Sequence, residues 1–162
     1  QFVGAGLSKD IMLLLPGFRA DQDVINPVGP AMAGLFNTAH WSPDLANAAN
    51  QKFVAEFQKE YKRVPTLYAS QGYDAAQLIN AAVRDVKGKL EDQDAVRKAL
   101  RAAKFDSVRG AFRFNKNQYP IQNYYVRTVG SDGKGGLINK SFNDPILKDH
   151  GDAYVGQCNM PQ

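Results

Sequence analysis

From residue 42 to about residue 104 the apolar residues recur every three or four positions, and from Phe105 onward they alternate. A switch from a helical to an extended repeat restricts the chain to a fold in which several helices precede paired strands. In "SPDLANAANQKFVAEFQKEYKR" the stripe is Leu45, Ala49, Phe53 and Phe57. Ser42 is the expected N-cap, with Pro43 in the first turn and Asp44 at the positive end of the dipole. Pro65 opens a second expected helix that runs to about Val86. "EDQDAVRKALRAA" gives a third, with Val96 and Leu100 facing inward. Then "VRGAFRF" and "IQNYYVRTV" alternate about the turn "NKNQYP", which predicts a β-hairpin. "GSDGKGG" reads as a turn, "LINKS" as a short strand, and the remainder as an irregular tail.

Before residue 42 the pattern is less regular. "FVGAGL" predicts a buried parallel strand ending in a glycine turn, "SKDIMLLL" a short helix capped by Ser8, and residues 16–30 a loop. "AGLFNTAHW", at 33–41, is a second expected strand. The order strand, helix, strand, three helices and hairpin indicates an α/β class in which helices cover a mostly parallel sheet. Two parallel strands are too few for three long helices, and the chain opens inside a strand-like run without methionine. A fragment, with a preceding half elsewhere, is the expectation.

The 162 residues suffice for a sizeable core. No apolar run approaches the ~20 residues of a membrane-spanning helix. Net charge is +4, but the twenty Lys and Arg are dispersed, with no basic run longer than "YKR" at 61–63. That argues against a nucleic-acid partner, which needs a basic stripe. One cysteine, Cys158, excludes a disulfide framework, and His40 and His150 have no ligand-like spacing. Neither a metal nor another cofactor is expected. The sequence contains no G-x-S-x-G, P-loop, H-E-x-x-H or C-x-x-C, so binding is expected rather than catalysis.

Three stretches combine small residues with aromatics and amides, the usual lining of a small-molecule pocket: "GAGLS" (4–8), "TAHWSPD" (38–44) and "YASQGYD" (68–74). The first two follow expected strands, where clefts of open α/β sheets lie. Candidate ligand contacts are Gly6, Leu7, His40, Trp41, Ser70, Gln71 and Tyr73. Trp41 and Tyr73 read equally well as core residues, His40 as a surface histidine, and Asp74 as a solvated or capping acid. Gly72 costs a helix about 1 kcal/mol relative to alanine, which suggests that another backbone or a bound molecule approaches there.

"ANQKFVAEFQKEYKRVPTLYASQGYDAAQLINAAV", with "FDSVRGAFRFNKNQYPIQNYYVRTV", resembles the C-terminal half of periplasmic solute-binding proteins of the branched-chain amino acid ABC-transporter class. The resemblance covers nearly the whole chain and is poorest over "IMLLLPGFRADQDVINPVGP". It implies part of a two-lobed clamp of parallel sheets flanked by helices, plus a β-hairpin. Residues 1–36 would belong to the second lobe, 37–42 to a hinge crossing, 43–104 to the helices of the first lobe, and 105–162 to the second-lobe hairpin and tail. "GAGLS" would face the "YASQGYD" helix across the cleft.

What the resemblance further implies is capture of a small carboxylate-bearing solute, outside the cytoplasm, for a membrane permease. Amino-acid-binding members tend to carry an acid in the turn where Gly6 stands, and no acid occurs here until Asp10. "HWSPD" with "YASQGYDAA" is similar to the branch that collects aromatic acids. A ligand-sensing domain of a receptor or regulator with the same fold is the alternative.

Overall fold

A computed structural model describes residues 1–142 and 144–160. It is a mixed α/β structure organised by one long strand, β4 (Pro120–Ser131), on which most of the sheet is assembled. β2 (Phe36–Ala39) pairs with Tyr125–Thr128 of β4, and β5 (Leu137–Ser141) pairs along the opposite edge from Arg127 to Ser131. At the start of β4, β3 (Arg113–Phe114) pairs with Pro120 and Ile121, and β6 (Leu147–His150) with Gln122 and Tyr124 across a bulge. β1 (Leu14–Pro16) lies outside β2.

The α/β class is as expected, but only the β1–β2 pairing is parallel and the other four are antiparallel. The cause is local. Strands joined by tight turns return beside one another. Gly133 and Gly135 take left-handed φ of 76° and 93°, and Asp132 Oδ1 accepts from the amides of Lys134 and Gly136 at 2.7 and 2.8 Å.

Several sequence expectations are corrected. Residues 2–7 form turns rather than a strand, with Ala5 N bonded to Gln1 O and Gly6 N to Val3 O. Gly6, at φ 76°, starts a single 3-10 turn over Leu7–Lys9, so Ser8 lies inside a turn and caps nothing. The expected loop at 16–30 contains α1 (Gln22–Val28), with Pro27 next to its last residue, where the missing N–H leaves the Asp23 carbonyl without its i+4 donor and the helix ends. The tail contributes β6, and the amide of Ile146, just before it, donates to Tyr124 O.

The next helix, α2 (Ala48–Tyr61), starts six residues after its expected cap. Asn50, fully buried, explains the delay. Its side chain accepts from Trp41 Nε1 at 2.7 Å and donates to the carbonyls of Ser42, Pro43 and Leu45. That knot occupies backbone acceptors that a helix would have used, and Asn47 becomes the N-cap, accepting from Asn50 N. Ser42 instead donates to Asp44 Oδ1.

α3 (Leu67–Asp85) and α4 (Gln93–Ala102) occur where expected, capped by Thr66 and Asp92. On α4 the fully buried position is Ala99, while Val96 and Leu100 are half-buried.

Apolar side chains gather in two clusters. Ala39, Trp41, Leu45, Phe53, Leu67, Val108 and Tyr125 pack where α2 and α3 meet β2 and β4. Ala20, Ile25, Met32 and Val129 pack beneath α1. Between them lies Arg127, wholly buried, with Nε on Asn37 Oδ1, Nη1 on the Trp41 carbonyl and Nη2 on the Gly17 carbonyl at 2.7, 2.9 and 3.3 Å. No carboxylate lies within ion-pair distance of it among the described residues, and burial lowers its pKa to about 10, against the pull of Asp21 and Asp44.

Candidate functional site

β2 ends at Ala39, and the next residue projects its ring toward the first turns of α3. There Gln71 Nε2 stands 3.2 Å from His40 Nε2. Among the seven candidate contacts this is the pair that the structure joins by a polar contact. Burial, reinforced by the positive guanidiniums of Arg109 and Arg127, lowers the His40 pKa to about 4. The imidazole is therefore neutral at pH 7. Because the Gln71 amide nitrogen can only donate, His40 Nε2 is the acceptor and Nδ1 carries the hydrogen.

The remaining candidates lie elsewhere. Trp41 is buried, its indole nitrogen bonded to Asn50 and its ring set edge-on to Phe53. Ser70 is fully buried and its hydroxyl donates to Leu67 O within the helix. Tyr73 packs on Phe53 with centroids 4.7 Å apart. Gly6 and Leu7 belong to the N-terminal turn, whose neighbours Phe2 and Ser8–Leu13 share a hollow with Gly34, Leu35 and Phe36. That is the entry end of β2, whereas His40 lies beyond its exit, four strand residues or about 13 Å away. Among the described residues no hydrogen bond joins "GAGLS" to α3.

Gly72 is exposed, and a Cβ on it would meet nothing within 4 Å. No other backbone among the described residues therefore approaches it.

Asp74, expected in solvent or at a cap, is the most heavily bonded acid among the described residues. It is buried, accepts from Ser107 Oγ at 2.6 Å, Val108 N at 2.9 Å and Arg109 Nε at 2.8 Å, and so ties α3 to the segment leading into the hairpin. Arg109 continues to Gln122 Oε1 at 2.9 Å, and Gln122 Nε2 donates to the Tyr124 hydroxyl at 3.3 Å.

The Tyr124 ring stands between two histidines, with centroids 6.2 Å from His40 and 5.8 Å from His150, both edge-on. A closed circuit results: Gln71, His40, Tyr124, Gln122, Arg109, Asp74 and back through one turn of α3. Sequence spacing kept the two histidines apart; 110 residues separate them, and only the β4–β6 pairing brings them to one tyrosine. The alternation in "IQNYYV" was the available signal for Tyr124.

A second acid braces α3 from outside the circuit. Asp21, buried at the start of α1, accepts from Leu67 N at 2.9 Å. Burial raises its pKa, and the Leu67 amide opposes that rise.

A family model described as periplasmic binding protein matches residues 1–134. Among solved structures, an ABC-transporter solute-binding protein from R. palustris in complex with benzoate is 35% identical, covers 96% of this chain and 41% of its own, and superposes with a TM-score of 0.79. One from Rhodopseudomonas palustris BisB5 in complex with 3,4-dihydroxybenzoic acid is 32% identical, with 91% and 41% coverage and a TM-score of 0.78. A leucine-binding protein from Thermotoga maritima, at 23% identity, 85% and 39% coverage and a TM-score of 0.68, shares the fold. The chain thus spans about two-fifths of the length of these structures. No curated protein matches it.

Proposed function

The chain belongs to the periplasmic binding protein family, and on that premise we propose that it forms part of the extracytoplasmic substrate-binding component of an ABC uptake transporter. The solute is a small carboxylate-bearing molecule, an aromatic acid or a branched-chain amino acid, captured between two lobes without reaction and delivered to a membrane permease. The observation that carries this reading is the His40–Gln71 pair at the junction of β2 and α3, in a chain 35% identical to a benzoate-bound solute-binding protein.

The electrostatics favour an anion. Burial is the main reason His40 stays unprotonated, and Arg109 and Arg127 add a positive potential there that attracts a carboxylate, although Asp74 offsets part of the Arg109 charge. We assign residues 1–36 and 105–162 to one lobe, 43–104 to the other and 37–42 to the crossing between them. The cluster of Ala20, Ile25, Met32 and Val129, which joins residues 1–36 to β4, supports that division, while Val108 and Tyr125 pack across it against Leu45, Phe53 and Leu67. The part of the relatives' length that this chain does not span supplies the rest of the cleft. A solute touching both lobes favours the closed arrangement by its differential affinity.

Thermal denaturation of the full-length protein with benzoate, 4-hydroxybenzoate, 3,4-dihydroxybenzoate and leucine tests this. At one hundred times its Kd a true ligand stabilises by about 2.7 kcal/mol, and Gln71→Ala should reduce the shift without altering the ligand-free melting temperature. No shift with any of the four solutes would overturn the capture reading.

A further inference from the structure

The circuit around Tyr124 fixes the direction of every hydrogen bond in it. A guanidinium only donates, so Arg109 Nη1 at 2.9 Å obliges Gln122 to present its carbonyl oxygen there. Gln122 is 3% exposed, and with its oxygen on Arg109 its amide nitrogen faces the Tyr124 hydroxyl, at 3.3 Å. That nitrogen also only donates. The hydroxyl is therefore the acceptor in this contact, and its own hydrogen is left over.

Arg109 cannot swing away to change the pattern, because its Nε is held by the buried Asp74 and its guanidinium lies 4.6 Å over the Phe112 ring. Tyr124 is half-buried and walls a hollow of about 400 Å³ with Tyr119, Pro120, Leu147 and His150. The one acid lining that hollow, Asp152, is already engaged by Asn117 Nδ2 at 2.7 Å and Tyr154 N at 3.0 Å.

We propose that the Tyr124 hydroxyl is a hydrogen-bond donor to an oxygen of the captured anion, and that Gln122 and Arg109 are the positioning residues that keep its hydrogen free. This rests on the capture reading above and adds to it a specificity element. The hydroxyl is a neutral donor and suits a solute whose facing atom is an acceptor.

Titration calorimetry on the full-length protein tests it, with benzoate, 4-hydroxybenzoate and leucine as probes. Tyr124→Phe keeps the ring between the histidines and removes the hydrogen. Gln122→Glu keeps a partner for Arg109 and turns the neighbour of Tyr124 into an acceptor that captures the hydrogen. Each should weaken the wild type's best probe about tenfold or more, the range for a hydrogen bond to a charged group. The double variant should bind no more weakly than either single variant, because both act on one hydrogen. A purely structural role predicts additive losses and unchanged probe preference.

Wild-type affinity in both single variants, or additive losses in the double, would overturn the proposal while leaving capture intact. Should Tyr124→Phe fail to fold, Gln122→Glu decides alone. Failure of the wild type to bind any of the three would remove the capture reading and this inference together.

Discussion

Arg109 Nε lies 2.8 Å from Asp74 Oδ2, with the two side chains 11% and 1% exposed. Their pairing is the only ion pair away from the exposed surface among the described residues; every other one joins side chains at least half as accessible as in a free chain or close to it. Exposed pairs contribute little, whereas removing one member of a buried pair leaves an uncompensated charge. Asp74→Ala should lower unfolding free energy by roughly 3–5 kcal/mol, since Ser107, the Val108 amide and Arg109 all lose their acceptor. Urea denaturation checks this, and a loss under about 1 kcal/mol, the scale of an exposed pair, would contradict it.

His40 should make stability depend on pH in one direction. Its folded pKa is about 4 against an ordinary 6.5. Above pH 6.5 the ring is neutral folded or unfolded, and nothing changes. Between 6.5 and 4 the unfolded chain takes up a proton that the folded one refuses, so stability falls as pH falls, by at most roughly 3 kcal/mol. Comparing wild type with His40→Gln at pH 7 and pH 4.5 isolates this contribution. Equal losses in both proteins would show that the ring is not protected.

Two glycines should respond to alanine with opposite signs. A Cβ on Gly17 would stand 2.7 Å from both Ala39 Cβ and the Thr38 carbonyl, with Arg127 Nη2 at 3.1 Å. Gly17→Ala should therefore cost about 1–3 kcal/mol or more, as forced overpacking does. Gly72→Ala meets open space within a helix and should gain about 0.5–1 kcal/mol. Equilibrium unfolding of both variants settles the signs.

The helices were legible because each follows from local chemistry: Pro65 precedes α3, Phe53 and Phe57 stripe α2, and Val96 and Leu100 recur on α4. The hairpin was legible at its turn, but of "VRGAFRF" only Arg113–Phe114 is strand, because the chain bends at Gly110, φ 88°. What could not be read was set by partners distant in sequence. Asn50 delays α2 by capturing the carbonyls of residues 42, 43 and 45, and nothing in its neighbours announces that. Asp74 looks like any acid on a helix until Ser107, Val108 and Arg109 are folded over it. The N-terminal turn was misread because "FVGAGL" has strand composition, while Gly6 takes a left-handed conformation that breaks extension. Tyr124 acquires its surroundings only through pairings with β2 on one side and β6 on the other.

Four of the five strand pairings run through β4. Among the described residues β3, β5 and β6 would keep no strand partner if β4 came away, and β2 would keep only its short pairing with β1. Amide protons of β2, β5 and β6 should consequently trade with deuterium in one concerted event, at the pace set by release of a single twelve-residue ribbon.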